Sequence, residues 1–202
     1  MLIRKYAQAD EDGWVRCRVL SFLDTPYFDN VLKEREEYEN PAIELVAVEE
    51  GQIVGLLDIE CEVREGSVCS RGTGLGGMLW HVAVHPDYRR RGVGNELLTE
   101  AEKIAKDQGL NRLEAWTRDD GRVHKWYEKH GFLKETSYFH VVIEGSQEIK
   151  GTLKSEMPKL CPIQVFAHYS GEDEEAVRGK FNRVHECFCY VKRIPLRKED
   201  AQ

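Results

Sequence analysis

The residues best suited to chemistry lie between positions 81 and 98, in the run HVAVHPDYRRRGVGNELL. A buried strand is predicted to end at Val84, turn at Pro86 and lead through Arg89, Arg90, Arg91, Gly92, Val93 and Gly94 directly into a helix. The first turn of a helix has unpaired backbone N–H groups and the positive end of the helix dipole. Glycines there have no side chain to block a ligand, and the arginines add positive charge. The pattern predicts a binding loop for a diphosphate.

Two familiar phosphate-binding patterns do not fit this loop. The dinucleotide fingerprint GxGxxG requires a glycine at position 97, which is Leu97, and the Walker pattern requires Gly-Lys-Ser/Thr, which is absent. The glycines at 72, 74, 76 and 77 precede a strand rather than a helix, so they indicate a flexible hairpin loop. What remains is an RxxGxG motif between a strand and a helix.

Three features together resemble the GNAT acyltransferase superfamily. They are VAVHPDYRRRGVG at 82–94, the amphipathic helix behind it, and WYEKHGF at 126–132, one strand and one helix later. The resemblance covers about residues 1–143 in element order and is closest over 78–132. It implies that acyl-CoA, with acetyl-CoA as the expected co-substrate, lies in a V-shaped gap between two adjacent central strands.

The resemblance also assigns cofactor contacts. In this family the pantetheine arm pairs with the backbone of the first central strand, here Val82, Ala83 and Val84. The diphosphate would sit on the N–H groups of residues 89–94 and on Asn95. Asp120 lies seven residues before Tyr127, where many relatives carry an asparagine that contacts the pantetheine, although Asp119 and Asp120 can equally be helix caps.

Tyr127 falls where the family often places a tyrosine beside the cofactor sulfur, so it is expected to donate a proton to the departing thiolate. Packing beside Trp126 is the alternative role. Relatives often carry a general-base glutamate on the strand before the loop, but this chain has Leu79-Trp80-His81 there. His81, whose ordinary pKa of about 6.5 is suitable, is the nearest substitute. Glu60 on the neighbouring strand is the second candidate base.

The resemblance implies transfer of an acetyl group to a primary amine by direct attack. No Cys–His pair lies near the motif, which disfavours a covalent acyl-enzyme. Residues 1–50 carry six basic and twelve acidic side chains, a net charge of −6, which favours a cationic small-molecule or peptide acceptor such as a polyamine, an aminoglycoside-like drug or a lysine. The alternative is a non-enzymatic acyl-CoA-binding module that regulates a partner, because the strand glutamate is missing.

The elements that must position these residues indicate an α/β fold, a GNAT-like mixed central sheet with helices on both faces. Residues 1–145 would form the acetyltransferase domain. Residues 146–202 would form a small extension, in which a polar linker or lid at 146–158 precedes a strand, a helix and a strand. The extension is too small for its own core, so it should pack on the main domain or on a partner subunit, which leaves a homodimer open. The predicted strands are 2–6, 43–49, 52–63, 78–84, 112–117, 135–143, 163–169 and 183–194, and the predicted helices begin at Asp10, Thr25, Gly92, Asp119 or Asp120, and 172.

Composition excludes several classes of protein. The net charge of −7 over 202 residues argues against nucleic acid as the main partner. No apolar run approaches the roughly 20 residues that a membrane-spanning helix needs, and no secretory signal is apparent, so a cytoplasmic protein without a membrane partner is expected. The six cysteines should be reduced. His185, Cys187 and Cys189 share a strand face and Cys161 could join them, but no spaced CxxC pair occurs, so no metal is expected.

Overall fold

A central mixed sheet organises the computed structural model, which describes residues 1–195. Within those residues, eight strands lie in the order β1-β2-β3-β4-β5-β8-β6-β7, with helices on both faces, so the predicted fold class is confirmed. The strands are β1 (Leu2–Lys5), β2 (Ala42–Glu49), β3 (Gln52–Cys61), β4 (Gly76–Val84), β5 (Arg112–Arg118), β6 (Leu133–Glu144), β7 (Gln164–Tyr169) and β8 (Arg183–Arg193). The helices are α1 (Glu11–Phe22), α2 (Val93–Asp107), α3 (Gly121–Lys129), α4 (Gly145–Lys150) and α5 (Glu174–Lys180).

Helices cover the two faces of the sheet unequally. On one face, α1 buries Trp14 and Cys17 against β2, β3 and β4. On the other, α2 carries an apolar stripe at helical spacing and packs with α3 over the centre of the sheet. The stripe consists of Val93, Leu97, Leu98, Ala101 and Ala105, all fully or nearly fully buried. The helix α2 is therefore held against the sheet along its whole length.

The two parallel central strands separate partway along their length. β4 pairs with β5 only where Gly76–Leu79 faces Arg112–Ala115. Beyond Leu79 the ladder ends, although β4 continues to Val84 and β5 to Arg118. On its other side, β4 stays paired with β3, with a register shift that leaves Trp80 without an opposite residue. This separation leaves one edge of β4 free of strand partners from Trp80 to Val84.

The C-terminal strand lies inside the sheet rather than at its edge. β8 pairs antiparallel with β5 along all seven residues of that strand and with β6 on its other side. The predicted strand–helix–strand of the extension is present as β7, α5 and β8, and α4 begins the segment that was predicted to be a linker or lid. Cys187 and Cys189, which the sequence analysis considered as metal ligands, are consequently buried within the main sheet.

The predicted helix from Thr25 to the residue before Pro41 is wrong. Apart from turns near its start, the segment 23–41 (hereafter the 23–41 loop) has no regular structure. Thr25 does form a local turn, because its hydroxyl accepts a hydrogen bond from the N–H of Tyr27. The rest of the loop bonds to the sheet instead, since Tyr38 donates to Asp58 and Asn40 donates to Glu60. A charged segment without a continuous apolar stripe gains more from these contacts than from helical hydrogen bonds.

The glycine-rich segment 64–75 is more firmly held than the sequence indicates. Glu62 accepts hydrogen bonds from the backbone N–H groups of Cys69 and Gly76. Glu114 accepts from the N–H groups of Ser70 and Arg71. The segment does form the predicted hairpin loop, because it joins the antiparallel strands β3 and β4, and two buried carboxylates hold it in place. The loop is a structural brace at the paired end of β4 and β5.

Three further features concern residues 1–195: the cysteines, the potential metal ligands and the character of the helices. All six cysteines are unpaired thiols there, and five of them are buried. No group of three or more His, Cys, Asp or Glu side chains in this part of the chain is arranged to hold a metal ion. None of the helices within the same residues has the length and apolar character needed to cross a membrane.

Candidate functional site

A cavity of about 620 Å³ occupies the gap between β4 and β5. We call it the cleft. It passes from the start of α2, at Gly94, beneath Trp126 and Tyr127 of α3, to the opposite face of the sheet. There the 23–41 loop forms one wall, through Pro26, Tyr27 and Glu36 among others. The separation of the two strands thus opens a continuous channel. It leads from the predicted diphosphate loop before α2 to a chamber beneath the 23–41 loop.

The backbone turns through two left-handed residues at the start of α2. Gly92 caps the helix in the left-handed region, at φ +88°, and Arg90 is also left-handed, at φ +64°. The N–H groups of Asn95 and Glu96 bond to the carbonyl of Gly92. The N–H groups of residues 92–94 lie at the start of the helix, where no helix carbonyl is placed to accept a hydrogen bond from them. They are the donors available to an anion.

The three arginines of the motif have different environments. Arg89 is tied to the end of α1, because its guanidinium donates to both carboxylate oxygens of Asp24 and to the carbonyl of Ser21. Arg91 lies over the ring of Tyr88, 4.8 Å from its centroid. Arg89 and Arg90 line the cleft. Of the three, the exposed Arg90 is the one whose side chain remains available to a ligand there.

The other predicted cofactor contacts surround the same opening. Val82, Ala83 and Val84 line the cleft along the unpaired edge of β4. Asn95 lies beside it and accepts a hydrogen bond from the indole of Trp126, at 3.1 Å. Asp120 lines the cleft and also caps α3, where it accepts from the N–H of residue 122 at 2.8 Å. Burial raises the pKa of Asp120, but its hydrogen bonds from Arg122 outweigh that and lower the pKa overall.

Tyr127 borders the cleft from within the core. Its ring stacks on Tyr190, with centroids 5.2 Å apart, and meets Phe132 and Trp126 edge-on. The hydroxyl hydrogen-bonds to none of the described residues, and the residue lines the cleft. Burial raises the pKa of Tyr127 above its usual value, so the phenol stays protonated.

His81 joins a buried network at the centre of the cleft. Its Nε2 lies 2.5 Å from Glu36 Oε2, and Arg18 Nε donates to its Nδ1 at 3.4 Å. Because arginine can only donate, Nδ1 must accept and Nε2 must carry the hydrogen that Glu36 receives. Burial lowers the pKa of His81 below its usual value. Both ring nitrogens of this predicted base are therefore already engaged.

Glu60, the second predicted base, lies outside the lining of the cleft. Its carboxylate accepts hydrogen bonds from the backbone and side-chain amides of Asn40 and from the indole of Trp80. Burial raises the pKa of Glu60, and these hydrogen bonds more than offset that effect and lower the pKa. The residue connects the 23–41 loop to the bulged part of β4.

Glu36 is a candidate site residue that the sequence analysis missed. Its side chain is 49% exposed, whereas the side chain of His81 behind it is 7% exposed. The hydrogen bond from His81 lowers the pKa of Glu36. Nothing in the run KEREEYEN distinguishes this glutamate from its neighbours, because its role depends on where the loop crosses the sheet.

Asp58 was also missed, although the sequence holds a signal for it. It is a lone acid in the apolar strand IVGLLDI, directly opposite His81 in the ladder. The side chain is fully buried, and its Oδ2 accepts a hydrogen bond from Tyr38 at 3.2 Å. Burial raises the pKa of Asp58 to about 7. The residue does not line the cleft, so it belongs to the support of the network rather than to its exposed end.

Arg118 and His140 lie side by side in the wall of the cleft. Arg118 Nη2 donates to His140 Nε2 at 2.9 Å, and the guanidinium also bonds to the carbonyl of Pro26 and pairs with Asp29. Burial, and then the charge of Arg118, lower the pKa of His140 to about 4. At neutral pH the histidine is thus an uncharged acceptor for the arginine.

Comparison with known proteins supports one family. Residues 11–132 match the family described as Acetyltransferase (GNAT) family. An acetyltransferase of Pectobacterium atrosepticum is 32% identical over 134 residues, which are 64% of this chain and 85% of the relative. The described fold is also similar to an aminoglycoside 6′-N-acetyltransferase complexed with coenzyme A, with a TM-score of 0.60 and 16% identity over 98% of this chain and 99% of that one. The PaiA N-acetyltransferase of Thermoplasma acidophilum in complex with coenzyme A gives a TM-score of 0.52 and 17% identity over 66% and 90%.

These matches agree with the geometry of the cleft. The family match includes β4, the glycine motif and α3, which together form the channel. The similarity to the two solved structures, at 16% and 17% identity, concerns the fold. The chain belongs to the GNAT acetyltransferase family and is an acyltransferase.

Proposed function

We propose that this enzyme transfers the acetyl group of acetyl-CoA to a primary amine by direct attack within the cleft. The observation that carries the proposal is the unpaired edge of β4 from Trp80 to Val84, which leads directly to the free N–H groups at the start of α2. A chain of amides can pair with such an edge as an added strand would. A diphosphate suits the helix start that follows.

The residues of the chain would then bind the donor mainly through backbone. Val82, Ala83 and Val84 offer the groups for the pantetheine arm, and residues 92–94 offer N–H donors for the diphosphate. Arg90 adds charge, while Arg89 holds the end of α1 against the loop. Asn95 and Asp120 border the same passage and orient the first turns of α2 and α3. The donor supplies an activated acetyl thioester.

Two groups on opposite sides of the thioester position would move the protons. The Glu36 carboxylate would hold the acceptor's ammonium and take one proton from it, with His81 fixing the orientation of the carboxylate from behind. The free amine can then attack the carbonyl carbon. Tyr127 would give its proton to the departing sulfur, and its raised pKa keeps that proton available. The nitrogen, which still carries one excess proton after its attack, would return it to the Tyr127 phenolate directly or through water, and Glu36 would release the first proton to solvent. His81 acts here as a positioning residue rather than as the base.

The charge of the acceptor can be argued from the cleft itself. Of the acidic residues in 1–50, Asp24 pairs with Arg89, Asp29 with Arg183 and Asp10 with Arg4, and none of these three carboxylates lines the cleft. Of the acidic residues in that stretch, Glu36 lines the cleft. We therefore propose an acceptor with a single ammonium group at the reacting end, rather than one that needs several carboxylates.

Calorimetry with CoA and release of free thiol from acetyl-CoA test the proposal together. We expect CoA to bind at near-physiological salt and thiol to appear when a primary amine is added, in proportion to acetylated product identified by mass spectrometry. The panel should contain an alkylamine, an arylalkylamine, spermidine, an aminoglycoside and a lysine peptide. Binding of CoA without acetylation of any of them would contradict the proposed reaction, and absence of CoA binding would contradict the site.

Glu36→Gln should lower kcat/KM for the amine by about 10- to 100-fold, because glutamine can still accept the hydrogen bond from His81 but can neither take a proton nor pair with an ammonium. Steady-state kinetics with varied amine would measure this, with the CoA dissociation constant unchanged.

Glu37→Gln is the matched control for this change. It removes the same charge from the neighbouring exposed position of the 23–41 loop, which does not line the cleft. Equal losses in the two variants would mean that the net charge of the loop matters and that Glu36 has no specific role.

A further inference from the structure

A band of aromatic rings forms one wall of the cleft beyond the Glu36–His81 pair. Trp116 and Tyr138 have ring centroids 5.3 Å apart, and Tyr138 lies 4.3 Å from His168. His168 is followed by His140 at 5.6 Å, and all four side chains line the cleft. The rings come from three strands, and His140 and His168 are direct partners in the β6–β7 ladder. We call these four residues the ring band.

The opposite wall of this chamber is also aromatic. Tyr27, from the 23–41 loop, lines the cleft, and the guanidinium of Arg118 lies over its ring at 4.6 Å. The Tyr27 hydroxyl is engaged, because it accepts a hydrogen bond from the N–H of Arg118. On this side the chamber is therefore bounded by Tyr27, whose ring is packed against Arg118 and Phe22.

Two polar atoms of the ring band are engaged by other protein groups. The Trp116 indole donates to Glu114, and His140 Nε2 accepts from Arg118. Arg118 is in turn occupied by the carbonyl of Pro26 and by Asp29. What this end of the cleft offers a ligand is therefore mainly ring surface, together with the ring nitrogens of His168. Glu36 and Asp120 are the carboxylates that line the cleft, and Asp120 is already engaged by the backbone N–H and the guanidinium of Arg122.

We propose that the ring band is the acceptor subsite and that the acceptor is a monoamine carried on a flat aromatic body, an arylalkylamine. This inference rests on the proposed function. The ammonium is held at Glu36 while the aromatic body packs against the ring band, since ring pairs in offset or edge-on contact attract beyond the effect of buried area. A polycation finds one carboxylate here and a buried arginine, Arg118, facing its other charges.

The first experiment compares amines whose reacting group is the same. Steady-state rates with acetyl-CoA would be measured for phenylethylamine, n-butylamine and spermidine. We expect kcat/KM for phenylethylamine to exceed that for n-butylamine, which lacks the ring, by about tenfold or more, and spermidine to be poorer than phenylethylamine. Equal values for the two monoamines, or preference for spermidine or for a lysine peptide, would overturn the inference.

A variant pair locates the effect. Tyr138→Leu removes the central ring of the band, and the ratio of kcat/KM for phenylethylamine to that for n-butylamine should fall by about tenfold. Tyr169→Leu is the control, because Tyr169 lies on the other face of the neighbouring strand, packed against Phe139 and outside the cleft. It should leave the ratio unchanged. An unchanged ratio in Tyr138→Leu would also overturn the inference.

A binding measurement separates this inference from the proposed function. Titration of phenylethylamine into the CoA-loaded protein, followed by tryptophan fluorescence and calorimetry, needs no turnover. If no amine is acetylated but phenylethylamine binds and Tyr138→Leu weakens that binding about tenfold, the proposed reaction fails and the aromatic subsite stands. If amines are acetylated but phenylethylamine binds no better than n-butylamine, the reaction stands and the subsite fails.

Discussion

Replacing Tyr127 with phenylalanine is expected to lower kcat by at least about 100-fold while the dissociation constant of CoA stays within about twofold. The phenol borders the cleft, has no hydrogen-bond partner among the described residues, and has a pKa raised by burial. It is therefore a protonated donor whose hydroxyl is not engaged by another of these residues. Positioned acids and bases contribute about 10²- to 10⁴-fold to rates. Stopped-flow release of thiol and calorimetry with CoA would measure the two quantities.

Tyr190→Phe is the matched control for that variant. Tyr190 stacks on Tyr127 in nearly parallel orientation, and its hydroxyl contacts His124 Nδ1 at 3.1 Å rather than the cleft. Tyr190→Phe thus removes a hydroxyl oxygen from the other ring of the same stack, which lies further from the cleft. Turnover in Tyr190→Phe should remain near that of the wild-type enzyme. If Tyr127→Phe also keeps its turnover, the proton on the leaving sulfur comes from solvent and Tyr127 is a packing residue.

The conformation of the loop before α2 and the strands beside it could be predicted because their signals are local. A run such as RRRGVG before an amphipathic helix prescribes its own conformation, and Gly92 adopts the left-handed φ that glycine tolerates. The apolar run at 78–84 likewise marked a central strand, which the structure has as β4. No distant contact is needed for either feature, so sequence spacing was sufficient.

The acceptor side could not be predicted in the same way, because it depends on register and on the path of a loop. Glu36 lines the cleft because Tyr38 and Asn40 tie the 23–41 loop to β3, and neither bond is apparent from spacing. His140 and His168 meet because β6 and β7 pair in one register, and a shift by one residue would turn them to opposite faces.

The candidate bases illustrate the difference between proximity and availability. The sequence analysis selected His81 and Glu60 for their type and strand position, and His81 does line the cleft. Their lone pairs are nevertheless occupied, by Arg18 in one case and by Asn40 and Trp80 in the other. Hydrogen-bond occupancy arises from tertiary contacts, so a sequence can suggest a titratable group without revealing whether it is free to react.

Replacing Gly94 with leucine should weaken CoA binding by about 100-fold or more without unfolding the protein. A Cβ built at Gly94 would lie 3.6 Å from Val84 Cγ2 and 3.7 Å from Trp126 Nε1, so the glycine sits where the edge of β4, α2 and α3 converge on the cleft. Cβ itself fits, but the further carbons of leucine would fill the passage between the unpaired strand edge and the helix start. A hundredfold loss corresponds to about 2.7 kcal/mol of binding free energy.

Gly94 makes a cleaner test than Gly92, because a side chain at Gly92 would meet backbone strain at φ +88° as well as the ligand. Gly94 has no such restriction, and leucine is a better helix former than glycine by up to about 1 kcal/mol, so the free energy of unfolding should not fall. Gly179→Leu in α5, where a Cβ meets no atom within 4 Å, gives the same helical gain away from the cleft. Calorimetry with CoA and urea unfolding of both variants would separate binding from stability. Affinity in Gly94→Leu within threefold of the wild-type protein would mean that the donor does not pass between β4 and α2, because no ligand in that passage could avoid the added side chain.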